Sequence, residues 1–257
     1  MRWLCFLLAN TVVAQAAPSV PRGDAKPLRF DIARLAETRD SFVFHLDGQE
    51  RGWAVWQYEY RVGAGGGGTP PMVVFTAVSE LRPAEAESLR VTLNRRSGEP
   101  ISSFHRIEYF APGNDTTLVE HDLDVRRGVV VGRRRVRTRH GTLHVIPVRV
   151  RLPVGAVWSD YGLLAAPVAN ASPGDSLVTA AYSEFGDSLT TLRLVAEPAD
   201  SVTVPAGHFA TVPLRGADFR LYVTRTHPWR VVKGESLDHR FDFELAGTGP
   251  VLRSGGL

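Results

Sequence analysis

Cysteine is almost absent from this chain. The one copy, Cys5, lies in the apolar N-terminal stretch. No internal disulfide can form, and a protein that loses this stretch has no thiolate nucleophile and no cysteine metal ligand. Long apolar runs are also missing. Beyond the N-terminus no segment approaches the roughly 20 residues that a membrane-spanning helix requires. Lysine is reduced to Lys26 and Lys233, so the basic charge is almost wholly arginine. Helical periodicity is scarce. Stability must therefore come from an ordinary hydrophobic core, and the length allows one.

The N-terminus reads as a cleaved export signal. Met1-Arg2 is positive, residues 3–13 are mostly apolar, and Ala14-Gln15-Ala16 has the small-x-small pattern of a cleavage site. We expect residues 1–16 to be a signal peptide and 17–27 a disordered leader carrying Pro18, Pro21 and Gly23. Residues 28–247 are expected to form a single antiparallel β domain, and 248–257 a flexible tail. The expected location is periplasmic or extracellular, with no transmembrane segment after signal cleavage.

Period-two alternation dominates the rest. Val119, His121, Leu123 and Val125 oppose Glu120, Asp122 and Asp124. Phe219, Leu221 and Val223 oppose Arg220, Tyr222 and Thr224. His239, Phe241, Phe243 and Leu245 oppose Arg240, Asp242 and Glu244. Successive strand side chains point to opposite faces, so this pattern marks half-buried strands. Antiparallel sheets tolerate one wet face; parallel sheets rarely do.

The punctuation agrees. Asp47-Gly48 with Gly52 predicts a hairpin with a longer loop, and Arg127-Gly128, Gly186-Asp187-Ser188 and Pro205-Ala206-Gly207 predict further turns. Gly65 to Gly68 reads as a loop. Short helical turns are expected near residues 31–39, 83–87 and 161–166. Twelve to fourteen strands are expected. That many demand a curved antiparallel sheet, half-barrel or sandwich-like, with one to three short helical turns.

Residues 202–209, Val-Thr-Val-Pro-Ala-Gly-His-Phe, followed by residues 219–225 and Pro228-Trp229-Arg230-Val231-Val232, carry a resemblance. The V-x-V-P-A-G-x-F stretch resembles an uncharacterised family of exported bacterial β-rich proteins. Gly48 with Gly52, residues 127–153 and residues 163–175 match the family's layout. The resemblance covers roughly residues 40–245 and implies a curved sheet, distantly similar to the half-barrels that carry lipoproteins across the periplasm. Those carriers open with a longer amphipathic helix, of which this chain has little. The family implies no activity for any residue.

Candidate sites follow from residue chemistry. Trp56, Tyr58 and Tyr60 share one strand face. With Phe241 and Phe243 they form a candidate lining for an apolar ligand, or else ordinary core. Arg133, Arg135, Arg137 and Arg139 form a candidate basic contact stripe, or else an ion-paired face opposite Glu120, Asp122 and Asp124. The stripe lacks interleaved aromatics, and export argues against nucleic acid as a partner. Gly-Asp-Ser-Leu occurs at 174–177 and 186–189 and resembles an esterase nucleophile block, but both copies begin strands, so we expect no catalytic residue. His140 and His144 are separated by Gly141, and no metal spacing occurs. We expect no metal and no cofactor. The leading expectation is an exported, non-catalytic envelope protein that binds a lipid-like or other apolar ligand in the concave face of its sheet. The alternative is a structural or protein-interaction module that contacts an envelope protein. A hydrolase with an unrecognised site comes third.

Overall fold

The computed structural model describes residues 25–61, 71–110, 113–158, 165–184 and 187–252. Among these the fold is all-β, one large, curved, open sheet of 17 strands. The only helical pieces are 3-10 turns at Ile32–Arg34 and Ala166–Val168. The expected turn at residues 83–87 is instead a three-residue connection, Arg82 to Ala84, and a strand begins at Glu85. Residues 161–164 lie outside the described residues.

One arm is an up-and-down meander. It runs through β2 (Thr38–Leu46), β3 (Gln49–Arg61), β4 (Met72–Leu81), β5 (Glu85–Asn94), β6 (Pro100–Tyr109), β7 (Thr116–Arg126), β8 (Val129–Thr138) and β9 (Leu143–Arg151). The other arm contains β11 (Ser176–Ser183), β12 (Ser188–Ala196), β13 (Asp200–Val204), β14 (Gly207–Arg215), β15 (Phe219–Thr224), β16 (Val231–Ser236) and β17 (Phe241–Gly249). β17 pairs antiparallel with β2 and joins the arms. Two short strands, β1 (Lys26–Pro27) and β10 (Val157–Trp158), pair with β11 in parallel. They are the exceptions to the expected antiparallel pattern.

Strand ends differ slightly from expectation. β1 lies within the expected leader. β17 runs to Gly249, and the Leu252 backbone N–H and carbonyl are both held by Gln57, at 3.0 and 2.8 Å. His239 falls outside β17, in a turn with φ 58°. The turn enforces that conformation over the simple alternation.

Turn chemistry explains the register. Asp47 and Gly48 both have positive φ, as do Arg127 and Gly128. Two such residues make the tight turn whose twist matches a hairpin. The hairpin at Gly48 is therefore tight, and the expected longer loop is absent. Gly52 lies within β3 and serves a different need. A Cβ there would sit 2.0 Å from the Glu80 carbonyl oxygen; at Gly132 it would sit 2.1 Å from that of Asp122. We expect Gly52→Ala to cost about 1–3 kcal/mol, because backbone rather than a flexible side chain must move. Urea unfolding checks this, and an unchanged midpoint would show that the neighbouring strand gives way freely.

The curvature folds the sheet over its own inner face. Phe42, Phe44, Leu81, Leu194, Leu214, Leu221, Phe241 and Phe243 form one buried cluster. Phe75, Leu89, Val91, Leu123, Val148, Trp158 and Tyr182 form a second. The second brings β10 and β11 against the inner face of β3 to β9. Trp158 and Tyr182, ring centroids 5.2 Å apart, fill the space there.

Candidate functional site

The expected aromatic lining lies on the inner face, as its alternation requires. Trp56 packs against Phe42, Phe75 and Phe243, with ring centroids 4.4, 6.4 and 5.3 Å away. Tyr58 lies 4.9 Å from Phe75 and is buried, as are Phe241 and Phe243. Tyr60 is half-buried, with the Arg95 guanidinium 3.9 Å over its ring. These five side chains contact other parts of the same chain. Trp53 points to the opposite face and is exposed.

A buried polar cluster lies further along the same face. His105 on β6 is fully buried between two carboxylates. Its Nε2 is 2.5 Å from Glu87 Oε1 on β5, and its Nδ1 is 3.0 Å from Glu184 Oε2, just past β11. Ser79 on β4 donates to Glu87 at 3.4 Å. Burial alone would lower the His105 pKa, but the hydrogen bonds and charges of Glu184 and Glu87 hold it well above the ordinary value. Burial pushes the Glu184 carboxyl up, and its contacts with His105 outweigh this and hold it below its ordinary value. The result is an imidazolium clamped between carboxylates, tying β11 to β5 and β6.

His121 on β7 sits beside this clamp, 6.5 Å from the His105 ring. Burial lowers its pKa to about 4; Glu184 opposes the fall, and the charges of His105 and Arg134 deepen it. Nearer solvent, Arg134 Nη1 donates to Asp187 at 3.4 Å and the Tyr182 hydroxyl donates to Asp187 at 3.1 Å. His105 and its partners are sealed from solvent, so the cluster acts as a structural clasp. The sequence analysis did not single out these carboxylates; the signal that could have found them is Glu85 and Glu87 falling on the apolar parity of β5, in line with Leu89 and Val91.

The arginine stripe splits. Arg133 pairs with Asp122 at 3.4 Å, and Arg135 pairs with Glu120. These are the cross-strand pairs expected from the alternation. Arg139 lies past the end of β8, with Nε donating to the Asn114 carbonyl at 2.9 Å. Among the described residues no carboxylate pairs with Arg137, Arg149 or Arg151.

No family model, curated protein or solved structure matches this chain.

Of the Gly-Asp-Ser-Leu copies, Ser176 and Ser188 begin β11 and β12, and Asp175 takes an ion pair from Lys26 at 2.6 Å. His140 lies in the exposed turn between β8 and β9, and His144 is exposed on β9. Among the described residues no group of three or more His, Cys, Asp or Glu side chains is arranged to hold a metal ion. No described helix is long and apolar enough to cross a membrane.

The least covered element is β9. Among the described residues it pairs only with β8, at one end of the sheet. Its first five residues are all exposed. Leu143 is 48% exposed, Val145 56% and Ile146 42%. The opposite end is built differently, because β1 and β10 cover β11 there.

Proposed function

We propose that this protein is an exported, non-catalytic β-sheet module that binds a partner protein of the cell envelope through the β8–β9 arm. The observation that carries the reading is β9 itself, a nine-residue edge strand with apolar side chains exposed on both faces. Proteins usually shorten, charge or cover such edges, because unpaired N–H and C=O groups invite another strand. The other end of this sheet has such a cover.

An apolar ligand in the concave face is the second reading. It draws support from the partial exposure of Trp56 and Tyr60. Against it, the aromatic wall packs on Phe42, Phe75 and Phe243, and β10 and β11 cover the neighbouring face. A ligand would have to displace those contacts.

Native mass spectrometry of protein purified from its own envelope separates the two. The proposal expects a protein adduct that disappears when Val145 is changed to Asp. A lipid-sized adduct retained by both forms would overturn it in favour of the concave-face site.

A further inference from the structure

We infer that β9 accepts a strand from its partner: an extended segment with apolar residues facing Leu143, Val145 and Ile146, and acidic residues facing Arg149 and Arg151. This rests on the interaction-module reading and names its chemistry.

The backbone sets which groups are available. Thr138 N–H donates to Thr142 at 2.9 Å, and Leu152 N–H donates to Gly128 at 2.8 Å. With the β8–β9 register, this alternation turns the backbone groups of His144, Ile146, Val148 and Val150 towards β8. The N–H and C=O groups of Leu143, Val145, Arg149 and Arg151 then point away from the sheet. Pro147 shares that outward set and offers a carbonyl without a donor, which is the position an edge strand tolerates.

Side chains narrow the occupant. Leu143, Val145, Arg149 and Arg151 share the outer face; Ile146 lies on the inner one. Arg137 is opposite Leu143 on β8 and adds to the positive charge there. An acidic segment complements these groups, since opposite charges on adjacent strands attract.

A second copy pairing through its own β9 is a poor occupant, because β9 carries no acidic residue to face Arg149 and Arg151. An antiparallel pairing centred on Pro147 has no donor from either copy at its centre. One centred on Arg149 sets like charges opposite each other, which destabilises a pair. A membrane is also a poor occupant. Hydrocarbon would leave the outward N–H and C=O groups of β9 unpaired, because it offers them no hydrogen-bond partner. A strand satisfies them, as in other cases of edge addition.

The test uses the full chain and a fluorescein-labelled nine-residue Glu-Val peptide, Glu-Thr-Glu-Thr-Thr-Val-Val-Thr-Val, which in antiparallel register sets Glu against Arg151 and Arg149 and Val against Ile146, Val145 and Leu143, with the same peptide carrying Lys for Glu as control. Anisotropy should show binding of the Glu-Val peptide, weakened at least tenfold in Arg149→Glu/Arg151→Glu, and weak binding of the control. Val145→Pro should also weaken binding at least tenfold, because it deletes an outward donor that the fold does not use. Circular dichroism and urea unfolding confirm that both variants fold. Hydrogen exchange should slow at Leu143 and Val145 when the peptide is bound. Binding that survives Val145→Pro, or that leaves these amides exchanging freely, overturns strand addition while leaving the interaction-module reading in place. Equal binding of both peptides, binding only to phosphatidylglycerol vesicles, or self-association through β9 overturns the inference as well.

Discussion

Replacing His105 with leucine is expected to lower folding stability by about 3–5 kcal/mol, the range for removing one partner from a buried ion pair. The imidazolium is the common partner of Glu87 and Glu184. Leucine would leave two carboxylates facing each other without a cation, away from water. The loss should fall on the contact between β11 and the β5–β6 strands, so Trp158 fluorescence should change before the β2–β3 region unfolds. Urea unfolding of His105→Leu measures the loss. Adding Glu87→Gln and Glu184→Gln should restore part of it, because the stranded charges are then gone. A loss below about 1 kcal/mol would place the cluster among interactions of surface strength. In the native protein the sign also runs one way. The His105 pKa is raised in the fold, so its contribution is complete below the unfolded value of about 6.5. That contribution fades as pH rises through the folded value.

Between pH 4 and 6 the contributions of His121 and Asp40 to the stability of the native protein are expected nearly to cancel, because the two buried groups oppose each other. His121 is lowered to about 4 by burial, so it folds neutral. As pH falls from about 6.5 to 4 the unfolded chain takes up this proton first, and stability drops by roughly 3 kcal/mol. Asp40 behaves in reverse. Burial raises it to about 6 despite the Arg230 guanidinium 3.0 Å away. As pH falls from 6 to 3.8 the folded chain binds the proton first, and stability rises by roughly 3 kcal/mol. Asp40→Asn should therefore expose a steep acid loss, and His121→Gln an acid gain. The slope decides the matter rather than the absolute stability, which both substitutions also change. Urea midpoints at pH 4, 5 and 6 test it. Parallel slopes in all three proteins would contradict the account.

Much of the sheet was legible because burial on one face writes itself into every second residue. The β7 residues Val119, His121 and Leu123 point inward as their spacing requires. The Pro205-Ala206 turn links β13 to β14 as its chemistry demands. Tight turns were harder to read. Gly52 looked like a loop residue because glycine marks both turns and close backbone approach. Here it is the approach to Glu80 that needs it. β1 and β10, two residues each, are too short to carry any period, so the cover over one sheet end was invisible. The clasp was missed for another reason. His105 lies 18 residues from Glu87 and 79 from Glu184, and only the curvature of the sheet unites them. Ion pairing of Arg133 and Arg135 was legible from cross-strand alternation. The free edge was not, since strand order cannot be read from a linear pattern.

Hydrogen exchange along β9 of the unliganded protein reports whether this end of the sheet is open. An open edge gives slow exchange at His144, Ile146, Val148 and Val150, whose amides bond to β8. It gives fast exchange at Leu143, Val145, Arg149 and Arg151, whose amides face outward. Uniform protection across all eight amides would mean that this edge is already covered, and would contradict the open edge.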